Sequence, residues 1–174
     1  MGCVFFSIFG LIALSSLWWV YFDDVAGADI NWGRLRNYLW FYGHLPVALG
    51  LTAFGVAAKK LYSSSTAEPL KIEYIYLYAG AVIMYLVGVA LIDLVTPRPS
   101  EPKASSMRRV IYRIASAVAV LLLAYFGYGM FLLPFIVLMA VFTATPVIIE
   151  VVFGTGIAPS DHWHTSATSV KPGE

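Results

Sequence analysis

The sequence predicts an all-α, polytopic membrane bundle of about five transmembrane helices. Hydrophobic residues make up 60% of the 174 and charged residues only 12%, against about 25% charged in a soluble domain. The mean hydropathy is +0.78, which implies more apolar surface than a soluble core of this size can hide. The apolar residues also fall in long blocks, and about 20 such residues cross a hydrocarbon core of about 30 Å as one helix. These observations exclude a water-soluble enzyme and a disordered chain. Eleven Lys+Arg against ten Asp+Glu leave no basic field for a nucleic acid. A single cysteine, Cys3, allows no internal disulfide and no thiolate metal cluster.

The first span is expected at residues 3–22, uncharged and ending in Trp18, Trp19, Tyr21 and Phe22. Amphipathic rings favour the headgroup level, so Trp18, Trp19 and Tyr21 read as interface anchors. Asp23 and Asp24 then mark the water side. This stretch lacks the positive n-region and small-x-small site of a signal peptide, and is expected to be retained. The second span is expected at 35–58, closed by Lys59 and Lys60, whose long stems reach the interface. A polar linker separates it from a third span at 72–95. The Pro-rich stretch 96–106 is the clearest linker. The apolar run 110–153 is too long for one crossing, and Gly127-Tyr128-Gly129 divides it into spans at 110–127 and 130–153. Residues 1–153 thus form the transmembrane domain, and 154–174 a polar C-terminal tail.

Orientation follows the cations. Arg34, Arg36, Arg98, Lys103, Arg108, Arg109 and Lys171 share one side, and Lys59, Lys60 and Lys71 the other. Seven against three predicts the N-terminus outside and the C-terminus in the cytoplasm. Arg108 and Arg109, with Arg113 one turn later, are expected to anchor the helix among anionic headgroups.

Ionisable groups at membrane depth are costly and mark candidate sites. His44 lies inside the second span between Gly43 and Pro46, with Gly50 beyond. Three roles are open to it: hydrogen bonding to a neighbouring helix, proton or ion handling, and axial ligation of a tetrapyrrole. The first is favoured and the last least so, and no cofactor is predicted. A short loop would bring Asp23, Asp24, Arg34 and Arg36 towards His44, as a proton relay or as an ion-pair patch fixing the helix ends. Asp93 and Glu150, near the ends of their spans, can reach water or an arginine as anchors. Pro46 removes a backbone donor, so a kink is expected there. Gly43, Pro46, Gly50, Gly80 and Gly88 are read as helix-packing positions, the small ones for close approach. His162 and His164 in the tail are weak evidence for a metal, and no metal site is predicted. With no phosphate loop and no nucleophile motif, no enzyme activity is expected.

Three segments carry a resemblance. They are Trp18-Trp19-Val20-Tyr21-Phe22-Asp23, Tyr42-Gly43-His44-Leu45-Pro46 with Gly50, and Gly80 with Tyr85-Leu86-Val87-Gly88. In that order they resemble the carboxy-terminal half of the bacterial low temperature requirement A family, over roughly residues 11–93. The last two helices follow by hydropathy only. The resemblance implies a multispanning inner-membrane protein without an established biochemical activity. Family members are about twice as long, and a Glu-rich helix expected before the first span is absent here. A half-length chain is therefore expected to pair with itself, with another half, or with a larger complex. The expected partners are the lipid bilayer and other membrane subunits or a second copy. The expected role is a non-catalytic accessory subunit of a larger membrane complex, such as a respiratory or photosynthetic one. The alternative is an oligomeric proton, ion or small-solute transporter using His44.

Overall fold

The computed structural model describes residues 2–25, 33–64, 67–96 and 103–152. They form five helices: α1 Gly2–Val25, α2 Arg34–Tyr62, α3 Ile72–Val95, α4 Lys103–Phe126 and α5 Leu132–Val152. Each is long and apolar enough to cross a membrane. The protein is a multi-pass membrane bundle. The tail expected at 154–174, with His162 and His164, lies outside the described residues.

α3 is the centre and the most buried helix. α2 packs on it through Gly43, Val47, Gly50, Phe54, Ala57 and Leu61, an alternation of four- and three-residue steps. That is the heptad spacing of a left-handed helix pair. A Cβ added at Gly50 would lie 2.8 Å from the Tyr85 nitrogen and 2.9 Å from the Ala81 oxygen, so here the two helices meet backbone to backbone. Phe54 meets Tyr78 one turn further along, with ring centroids 4.9 Å apart. α2 runs unbroken through Pro46, whose ring is turned towards Gly88.

On its other side α3 packs against α4, α4 against α5, and α5 against α1. Tyr85 closes this ring by donating its hydroxyl hydrogen to the Leu17 carbonyl of α1. The expected break between the last two spans is a tight turn. Met130 N–H donates to Gly127 O at 3.0 Å, and Gly129 has φ +79°, while among the described residues no non-glycine residue, Tyr128 included, has positive φ. That combination is a type II turn, which needs glycine at its third position. The turn is tied in turn to the α2–α3 linker, where Leu70 N–H donates to Met130 O at 2.9 Å.

Most hydroxyls at membrane depth satisfy themselves. Ser16, Thr52, Thr143 and Thr145 each donate to the carbonyl four residues back in their own helix. A helix with an inward hydroxyl then needs no polar partner from a neighbour.

The two glycines of α3 read as packing positions differ within this bundle. Gly80 is exposed and a Cβ there would meet nothing within 4 Å, whereas a Cβ at Gly88 would come within 2.8 Å of Val47. Steps of four overshoot a 3.6-residue turn, so positions 80 and 88 are rotated about 80° apart. Only the second faces α2.

Candidate functional site

The buried stripe of α4 runs through Ala124, Val120, Ala117 and Ser116, then ends on two arginines, Arg113 and Arg109. They are four residues apart, on one helix face. Their exposure is 0% and 1%, so neither reaches a headgroup. This corrects the expectation that Arg109 is an interface anchor and that Arg113 faces lipid. Arg108, one residue earlier and about 100° round the helix, is exposed as an anchor requires.

What turns the two arginines inward is a pair of carboxylates. Asp93 stands in the last turn of α3 and Glu150 in the last turn of α5, and both are buried. Arg113 Nη2 donates to Glu150 Oε1 at 3.2 Å. Arg113 Nη1 lies 3.4 Å from Asp93 Oδ2, and Arg109 Nε lies 3.6 Å from the same oxygen. Two cations and two anions sum to zero. Burying four charges costs several kcal/mol per ion before pairing, so each ion depends on the others. The carboxylates also oppose their own helices, because a helix C-terminus already carries partial negative charge. Cross-helix pairing is what keeps them there. Asp93 and Glu150 do reach an arginine, as expected, but inside the bundle rather than at its surface.

His44 is a separate feature. Its Nδ1 is 2.7 Å from the Trp40 carbonyl of its own helix. A carbonyl only accepts, so Nδ1 carries the proton in this contact. The ring packs edge-on against Trp40 at 4.4 Å and against Tyr21 of α1 at 5.8 Å between centroids. The favoured expectation is thus corrected in its partner. His44 hydrogen-bonds backward along α2, as the hydroxyls do, and meets its neighbour helix through an aromatic ring.

Arg34 and Arg36 are exposed in the first turn of α2. The helical backbone of α1 continues through Asp23 and Asp24 to Val25, but their side chains lie outside the described residues. Among the described residues no carboxylate contacts His44, and no group of three His, Cys, Asp or Glu is placed to hold a metal. Trp18 and Trp19 are exposed at the end of α1, with Tyr21 half-buried between Phe22 and His44.

Nothing in the sequence joins these four residues across three helices. The i, i+4 arginines on an otherwise apolar helix face were the available signal.

Residues 1–152 match the family model described as bacterial low temperature requirement A protein (LtrA). The chain belongs to this family. The match runs through α4 and α5, so the family region of this LtrA chain includes Asp93, Arg109, Arg113 and Glu150. No curated protein and no solved structure matches it.

Proposed function

We propose that this LtrA-family chain is a non-catalytic helical subunit that works in association with further membrane helices, in the bacterial inner membrane. The observation that supports this reading is the open seam between α1 and α2. Helices joined by a short connection ordinarily pack side by side. Here α1 packs with α5 and α2 with α3, and the seam between them holds two apolar cavities of about 490 and 340 Å³. Trp18, Phe22, Leu14 and Leu51 wall the first cavity, and Gly10 and Gly55 thin the walls of the second. An aromatic slot with small residues at its edges suits a further transmembrane helix, of another subunit or of a second copy. The excess of cations on the Arg34 side supports an N-terminus outside the cytoplasm.

The test is mild solubilisation of native membranes, then native-gel separation and mass spectrometry of the band. Co-migration with other proteins in constant ratio supports the reading. Migration alone as a monomer defeats it.

Transport of protons, ions or a small solute is the second reading. It is favoured by the buried Asp93–Arg113–Glu150 network, since intramembrane charges commonly mark pathways. Two features weigh against it: the network is charge-balanced, and its side chains are no more than 5% exposed. Flux in proteoliposomes that is lost in Asp93→Asn or His44→Ala would reverse the order of the two readings.

A further inference from the structure

At the opposite end of the bundle from the charged network, a cavity of about 500 Å³ opens between the last turn of α2, the linker and the first turn of α3. Lys59, Lys60 and Lys71 line it, with Glu68 as its one carboxylate. We propose that this cavity seats the phosphate of an anionic lipid headgroup.

The lysines come from two elements and converge with a local formal charge of +2 once Glu68 is counted. Among the described residues no ion pair joins any of them to a carboxylate. Helix electrostatics explain only part of the arrangement. Lys59 and Lys60 sit in the last turn of α2, where a cation complements the helix end. Lys71 is the N-cap of α3, the positive end, where a cation is unfavourable and Glu73 in the first turn offsets it only in part. Its ammonium sits 6.0 Å from the ring centroid of Tyr74, which lines the same cavity.

The level is right for a headgroup. The span of α2 ends at Tyr62 and that of α3 begins at Ile72, so the cavity lies where both helices leave the hydrocarbon. Val56, Leu70 and Tyr74 supply apolar wall beside the cations, as the junction of phosphate and acyl chains requires. The site is also held in shape. Ser63 and Ser64 back-bond to the carbonyls of Lys59 and Lys60, and Leu70 is tied to the α4–α5 turn. Basic pockets between transmembrane helices seat anionic lipid headgroups on the cytoplasmic side, and the same attraction acts at the opposite face wherever that leaflet carries anionic lipid.

The experiment uses the full chain in phosphatidylcholine micelles, with phosphatidylglycerol or inorganic phosphate added in separate arms. Lipid retained in native mass spectrometry and the thermal midpoint are read together. Phosphatidylglycerol is expected to be retained and to raise the midpoint, and 1 M salt to weaken both effects. Each of Lys59→Gln, Lys60→Gln and Lys71→Gln is expected to lower retention about fivefold, the equivalent of ~1 kcal/mol per lysine. Glu68→Gln is expected to increase it, which keeps the test open should the triple lysine variant fold poorly. Arg108→Gln, an exposed cation at the other end, is the control and is expected to lower retention less than any of the three lysine variants. An equal shift from inorganic phosphate overturns the lipid source. Retention that survives the triple lysine substitution, or that Arg108→Gln lowers as much, overturns the site.

Discussion

Arg113 and Glu150 lie thirty-seven residues apart in sequence and form a buried ion pair with Nη2 to Oε1 at 3.2 Å. The other terminal nitrogen of the same guanidinium stands 3.4 Å from Asp93 Oδ2. One side chain of α4 therefore holds the last turns of α3 and α5 together. A planar fork with donors on both tips can do this, and a point charge cannot.

Arg113→Met is expected to destabilise the bundle by about 3–5 kcal/mol, because two carboxylates would be left buried with Arg109 alone. Arg113→Lys is expected to recover only part of that, since an ammonium cannot reach both partners in the fork geometry. Thermal unfolding in detergent, followed by circular dichroism, checks both variants. Equal midpoints for wild type and Arg113→Met would remove the network from the account of this fold.

The α2–α3 contact makes a sharper geometric prediction. Gly50→Ala places a methyl group within 3 Å of α3 backbone atoms, which cannot move aside as a side chain can. The expected cost is about 1–3 kcal/mol. Gly80→Ala and Gly55→Ala meet nothing within 4 Å and are expected to be neutral or to stabilise by up to ~1 kcal/mol, since alanine loses less freedom in a helix. The same melting assay ranks the three. Gly50→Ala melting at or above the Gly80→Ala midpoint would contradict the close approach.

Tyr85→Phe removes the hydroxyl that α3 donates to Leu17 of α1. Hydrogen bonds between membrane helices average ~0.6 kcal/mol, so a small loss is expected. Amide exchange should show it first in α1, which otherwise depends on α5 for its packing.

His44→Phe keeps a ring between Trp40 and Tyr21 and removes the Nδ1 donor. A role confined to packing predicts a stability change within ~1 kcal/mol and unchanged assembly on native gels. A proton-handling role predicts that flux, if any exists, disappears in this variant.

The sequence makes the helices legible because crossing a bilayer demands long apolar runs, and such runs cannot be mistaken at this length. It also shows the Gly127–Gly129 turn, and Gly43, Gly50 and Gly88 as positions of close approach. Gly80 looked equivalent to Gly88, since four-residue spacing leaves open which position faces the neighbour. Arg108, Arg109 and Arg113 read as one basic cluster at a membrane surface. Two of them are the most deeply buried cations of the described chain.

Composition and periodicity alone decided that this chain is a membrane bundle of five spans and which residues are costly at depth. Those are local properties, set by each segment against lipid and water. They did not decide the helix ends, since α4 begins at Lys103 inside the expected 96–106 linker and α2 runs past 58 to Tyr62. Tertiary structure decided that α1 packs with α5 rather than α2, that His44 turns back on its own helix, and that Asp93, Arg109, Arg113 and Glu150 form one neutral network. Pairing across three helices depends on which faces meet, and a buried charge is tolerable only where the opposite charge has been brought to it.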